Sequence, residues 1–90
     1  MSFYYVYVLR NSETGKLYIG YSSNLRQRLR GHASGDTSTT RGRKYILIYF
    51  EGHLNKADAI GREKFLKGGS GRKYLNKQLT HYFAENAFAR

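Results

Sequence analysis

Residues 3–10 read FYYVYVLR, a run that is almost wholly aromatic or β-branched. It is too short and too β-prone for a buried helix and reads as a strand. A second run of the same kind follows at residues 17–21, LYIGY. Between them lies NSETGK, a turn segment in which Gly15 is free to take a positive φ. Two strand-like runs joined this closely argue a β-hairpin. The remaining chain therefore has to supply what covers it.

Asn24 stands where an N-cap belongs, with Gln27 three residues later in capping-box position, so LRQRLRGHA reads as a first helix. Residues 34–43, SGDTSTTRGR, are a polar loop. YILIYF at 45–50 is nearly all apolar and reads as a strand buried on both faces, hence the central one. Asn55 caps a second helix with Asp58 at its third position, and the glycines at 68–71 end it. A third helix is expected over 72–85, with Leu75, Leu79, Tyr82 and Phe83 on one stripe. The order is ββαβαα, an α+β chain: a small three-stranded antiparallel sheet flanked by helices. No internal repeat or linker divides it, and 90 residues suffice for one modest core, so residues 1–90 are expected to form a single domain.

Charge narrows the partners. Sixteen Lys and Arg against six Asp and Glu give a formal +10. Such an excess opposes compactness, and a polyanion is its usual counterpart. Without cysteine there is no disulfide framework and no thiolate metal site, which fits a reducing cytoplasm. No apolar run approaches a bilayer span, and the N-terminus lacks signal-peptide features.

Some residues break the periodic pattern. Leu25, Arg28, Leu29 and His32 follow the spacing of a core-facing stripe, yet two of the four are polar. Either an Arg stem covers apolar surface while its head reaches water, or a cation and an imidazole are aimed at a phosphate. Glu63 is the only acid between 59 and 84, amid Arg62, Lys64, Lys67, Arg72, Lys73 and Lys77. It either neutralises its neighbours or holds a hard divalent ion between itself and a phosphate. Tyr7 and Tyr18 sit on the paired strands, where cross-strand packing is the ordinary use of tyrosine. Gly20 either breaks the strand or lets backbone approach a ligand. His53 and His81 show no metal-site spacing.

Tyr5-Val6-Tyr7, then Tyr18-Ile19-Gly20 and Tyr21-Ser22-Ser23-Asn24-Leu25-x-x-Arg28-Leu29-x-x-His32, resemble the signature of the GIY-YIG nuclease superfamily. Glu63, in GREKFLKGG, matches the downstream metal-binding glutamate of that family. The resemblance covers about residues 4–76 and is to the small stand-alone bacterial members with a UvrC-like catalytic domain. It implies a ββαβα core and a metal-dependent endonuclease hydrolysing DNA phosphodiesters, with one Mg²⁺ or Mn²⁺ held by Glu63. It implies Tyr7, Tyr18, Arg28, His32 and Glu63 as catalytic residues. Tyr18 is favoured as base or water-positioning group and Tyr7 as its partner, with the reverse left open.

Three departures stand out. Tyr5 occupies the position where the family often has Gly. Tyr21 follows YIG where some relatives carry Lys. The late Asn of many relatives has only Asn76 as a counterpart, in uncertain register. Gly20, Arg41, Arg43, Lys44, Arg72 and Lys73 are the expected nucleic-acid contacts. Action on branched or damaged DNA in repair or recombination is an expectation from family analogy. The alternatives are a non-catalytic nucleic-acid-binding module of the same fold, or a basic protein docking on RNA.

Overall fold

The computed structural model describes residues 2–33 and 45–86, and residues 32 and 33 by backbone alone. Strands β1 (Tyr4–Asn11) and β2 (Leu17–Ser22) form the expected hairpin, with Tyr7 opposite Gly20 and Leu9 opposite Tyr18. Its turn is built by Asn11, whose side-chain oxygen accepts from the backbone N–H of Glu13 at 2.8 Å and of Thr14 at 3.0 Å. Gly15 has φ 78°, the left-handed conformation that glycine adopts without a Cβ penalty. Helix α1 (Leu25–Ala33) follows, capped by Asn24, which accepts from Gln27 N–H at 3.1 Å. Then come β3 (Tyr45–His53), α2 (Lys56–Lys67), α3 (Gly69–Gln78) and α4 (Thr80–Glu85).

The sheet order is β2-β1-β3, antiparallel throughout. The central strand is therefore β1, a correction to the expectation for YILIYF. Residues Val6–Asn11 are all buried, whereas in β3 Ile46 is 51% and Phe50 52% exposed. The tyrosines of β1 disguised its burial, because a phenol reads as half-polar. The apolar run of β3 is an edge strand serving both layers. An irregularity opposite Val8/Leu9, which pair with Tyr49 and Leu47, leaves Ile48 as the extra residue.

Strand alternation divides the work. Val6 and Val8 face α2 and α3, forming the core with Ala59, Leu66 and Leu75. Tyr5, Tyr7 and Leu9 face the other way, toward α1. The glycine cluster at 68–71 does less terminating than expected. Gly68 alone links α2 to α3, its N–H donating to the Phe65 carbonyl at 3.1 Å. Gly71 lies inside α3, where a Cβ would stand 2.2 Å from the Phe65 carbonyl oxygen and 2.4 Å from Leu66 Cα. The helices cross backbone to backbone there. The helix expected over 72–85 thus begins earlier and is divided at Leu79. The Thr80 hydroxyl, near the carbonyls of Asn76 (3.0 Å) and Lys77 (2.7 Å), meets the open end of α3. Arg10 reaches up to α4, its guanidinium 5.5 Å from the Tyr82 ring centre and 5.4 Å from that of Phe83.

Helix α2 is fastened to the sheet by an ion pair. Arg62 donates to both Glu51 carboxylate oxygens, at 2.9 and 3.0 Å, with its planar face 4.3 Å from the Tyr74 ring centre. Tyr49 donates to Glu51 at 2.6 Å and His53 lies 3.1 Å from it. Burial opposes charge on Glu51, but the hydrogen bonds from Arg62, Tyr49 and His53 outweigh it and hold the carboxyl below its usual range. Burial and the bond to Glu51 push the Tyr49 phenol up.

Glu51→Gln should therefore cost roughly 2–4 kcal/mol, since it strands a half-buried guanidinium. In a domain of this size that lowers Tm by about 10 °C or more in a thermal melt. The pH dependence follows from the sign of the shift. A depressed folded pKa gives stability that is complete above the unfolded value, about 4.3. It is lost as pH falls through the folded value. Acid sensitivity below about pH 4 should accordingly be blunter in the variant.

Candidate active site

Tyr7 is the node. It is fully buried in the middle of β1, and its ring lies across Gly20 of β2. A Cβ on Gly20 would stand 2.3 Å from Tyr7 Cζ and 2.4 Å from its hydroxyl oxygen, so only glycine leaves room for the ring. The Tyr18 ring is 6.4 Å away, tilted by 31°. Arg28, on α1, donates to the Tyr7 phenol oxygen. Burial pushes that phenol up to about 12, with the charges of Tyr18 and Glu63 adding and the Arg28 guanidinium opposing. Tyr7, Tyr18, Arg28 and Glu63 thus lie within electrostatic reach of one phenol. They come from β1, β2, α1 and α2.

The stripe of α1 explains the arrangement. Leu25 and Leu29 are half-buried, while Arg28 between them is exposed and hydrogen-bonds to Tyr7. On α2, Glu63 follows Arg62, so the Arg62–Glu51 clamp fixes the rotation of the helix and with it the direction of Glu63. Glu63 accepts from Lys67 at 3.1 Å, one turn on. A polar hollow of about 610 Å³ opens beside this group along the β2 edge, lined by Tyr18, Lys67, Gly69 and Arg72 among others.

Of the expected contacts, Gly20 and Arg72 adjoin the group, and Lys73 is exposed on α3. Asn76 is exposed on α3 and lines neither of the two main hollows. His32 lies on α1 one turn beyond Arg28, described by backbone alone. Arg41, Arg43 and Lys44 fall outside the described residues. Tyr5 is half-buried on the Tyr7 face, packed edge-on to Phe50 at 6.1 Å.

The sequence profile of the GIY-YIG catalytic domain matches residues 3–77. The chain belongs to that family. This GIY-YIG domain is 40% identical over 65 residues to a UPF0213 protein of Clostridium perfringens, covering 70% of this chain and 69% of the relative. It is 42% identical over 84 residues to a UPF0213 protein of Streptococcus pneumoniae, covering 91% and 79%. A UPF0213 protein from the ldhD 5′ region of Pediococcus acidilactici shares 37% over 76 residues, covering 80% and 76%. No solved structure matches the chain significantly. GIY-YIG domains make up a nuclease superfamily, with DNA as the implied substrate class and a divalent metal in general use. No helix among the described residues is long and apolar enough to cross a membrane.

The donor set bears on that metal. Among the described residues no three His, Cys, Asp or Glu side chains gather into a site. Glu63 offers one carboxylate, with side-chain exposure of 20%, its charge felt at Tyr7 and one oxygen paired with Lys67. One carboxylate completed by waters and substrate phosphate suits Mg²⁺ or Mn²⁺ and no structural metal. The residues fit a hard ion held jointly with substrate.

Reading the sequence missed two members of this GIY-YIG neighbourhood. Lys67 had a signal, its i,i+4 spacing from Glu63. Tyr45, whose ring stands 6.3 Å from that of Tyr18, had none, because the β3 irregularity decides which face it joins.

Proposed function

We propose that this protein is a metal-dependent endonuclease that hydrolyses DNA phosphodiester bonds. The observation that carries the reading is the single buried phenol, Tyr7, bonded to Arg28 and in the field of both Tyr18 and Glu63. Glu63 would hold one Mg²⁺ or Mn²⁺, which when bound supplies charge for the phosphate and the leaving 3′-oxygen. Arg28 stabilises the charge that builds on the phosphate oxygens as water attacks phosphorus. Tyr7, pushed up to about 12, stays protonated at neutral pH and holds Arg28 and Tyr18 in place. Tyr18, half-buried and lining the polar hollow, orients the attacking water and, in its phenolate form, takes the proton that the water gives up. His32 contacts phosphate one turn along α1. Arg72 and Lys73, with Arg41, Arg43 and Lys44, hold the flanking backbone, so binding weakens steeply with salt.

The second reading is a binding module of the same fold, and the Glu63–Lys67 ion pair favours it, because that bond competes with a metal. Incubation with labelled linear, flapped and four-way DNA in Mg²⁺, Mn²⁺ or EDTA separates the two. Cleavage that stops in EDTA supports the nuclease. Tight, salt-sensitive binding without any cut supports the module. Preference for flapped or four-way DNA over linear duplex would support a role in repair or recombination.

The two tyrosines should also differ. Tyr18→Phe is expected to lower the cleavage rate by about 10²-fold or more, as loss of a proton acceptor does. Tyr7→Phe keeps the ring and loses only the bond to Arg28, and should cost about 10-fold. Single-turnover rates decide it, and equal losses would reverse or merge the assigned roles.

A further inference from the structure

On the Tyr7 side of the sheet lies a second groove, of about 520 Å³, between β1, the end of β3 and the start of α1. Phe3, Tyr5 and Phe50 form one wall and Leu29, Asn24 and Arg26 belong to the other. The wall is a graded set of rings, with Phe3 6.3 Å from Tyr5 and Tyr5 6.1 Å from Phe50. Phe3, just before β1, is 39% exposed and Phe50, on the edge strand β3, 52% exposed, so together they form an exposed aromatic patch and not scattered single residues. Among the described residues Arg26 is the only charged one that lines the groove and none that lines it is acidic, and the chain carries a formal +10. Its size is within the range of sites that enclose a small planar ligand.

We propose that this groove stacks an unpaired base of a DNA strand whose adjoining duplex reaches Tyr7, with Arg26 on the phosphate of that nucleotide. The proposal rests on the nuclease reading for its location and not for its chemistry. Tyr5 and Tyr7 are two residues apart on one face of β1, about 7 Å along the strand. A base held at Tyr5 therefore sits immediately beside the candidate site. Aromatic rings next to a cation form the usual platform for single-stranded nucleic acid, because every base has a π-face. Tyr5, which fills the position where the family often has glycine, gains a purpose. It turns a cutter of phosphodiesters into one that prefers the border between paired and unpaired DNA.

The test uses full-length Glu63→Gln protein in EDTA, so that no strand is cut. It is titrated with flapped DNA carrying 2-aminopurine at the first unpaired position, and with duplex carrying it internally. Stacking should quench the flap probe several-fold more than the duplex probe. Phe50→Ala should abolish that quenching and weaken flap binding about 10-fold relative to duplex binding. Phe50→Trp should restore both, and Tyr5→Leu, which keeps bulk without a ring, should behave like Phe50→Ala. Unchanged quenching in Phe50→Ala, or equal losses on flap and duplex, overturns the proposal. Cleavage by the parent protein without quenching leaves the nuclease reading standing and removes this one. Quenching that depends on Phe50 in a protein that cuts nothing does the reverse.

Discussion

Glu63→Gln is expected to lower DNA cleavage by at least about 10³-fold while DNA binding stays equal or becomes tighter. The two effects separate because the carboxylate has two relations to the ligand. It is the α2 carboxylate whose charge is felt at Tyr7, so under the proposed function its loss would remove the hold on the ion. It is also a negative charge on a basic surface, and its present partner, Lys67 at 3.1 Å, would be released to the phosphates. Single-turnover cleavage in Mg²⁺, paired with binding in EDTA, measures both. A variant that still cuts within tenfold of the parent would remove Glu63 from the metal site. A variant that loses binding and cleavage together would point to a structural role.

The second large effect is expected from one methyl group. Gly20→Ala places a Cβ 2.3 Å from Tyr7 Cζ, 2.4 Å from its hydroxyl and 2.8 Å from Cε1. The ring is fully buried and cannot slide aside without disturbing its neighbours. Overpacking of this kind costs about 1–3 kcal/mol. Displacing the phenol also breaks its bond with Arg28, and cleavage should fall by about 10²-fold. Gly61→Ala is the matched control. Its Cβ would meet nothing within 4 Å, and within α2 the change should be neutral or stabilising by up to about 1 kcal/mol. Thermal melts and cleavage rates on the pair distinguish a packing effect from a general intolerance of glycine replacement. An active, stable Gly20→Ala protein would mean that the ring has another place to go.

The hairpin, the two asparagine caps and the residues that gather at Tyr7 were legible because each depends on local chemistry or on an ordered motif. Gly20 could be flagged as a place of close approach, but a sequence cannot say that the approaching group is the Tyr7 ring rather than a ligand. The central strand was misassigned for a physical reason. Hydropathy scores a phenol as half-polar, and β1 buries one, Tyr7, whose hydroxyl is met by Arg28 of another element. The ion pair of Glu51 with Arg62 joins residues 11 apart through tertiary contact, and nothing in their spacing announces it. Arg62 was read as part of a basic surface, and it is instead committed to the sheet. The early start of the last helix turned on a glycine demanded by a helix crossing, and its division on one threonine hydroxyl. Both are contacts between segments, which periodicity does not report.

The central place of β1 has a consequence for how the site wears over time. An inner strand, bonded on both sides and covered on both faces, does not fray; its amide hydrogens exchange with solvent only when the whole molecule opens. Tyr7 sits midway along it, so the geometry at the phenol should persist through every local fluctuation of the edges and helix ends. Deuterium uptake at Tyr7 and its neighbours Val6 and Val8 should then be the slowest in the chain. Heat or denaturant should abolish activity in step with global unfolding and not before it.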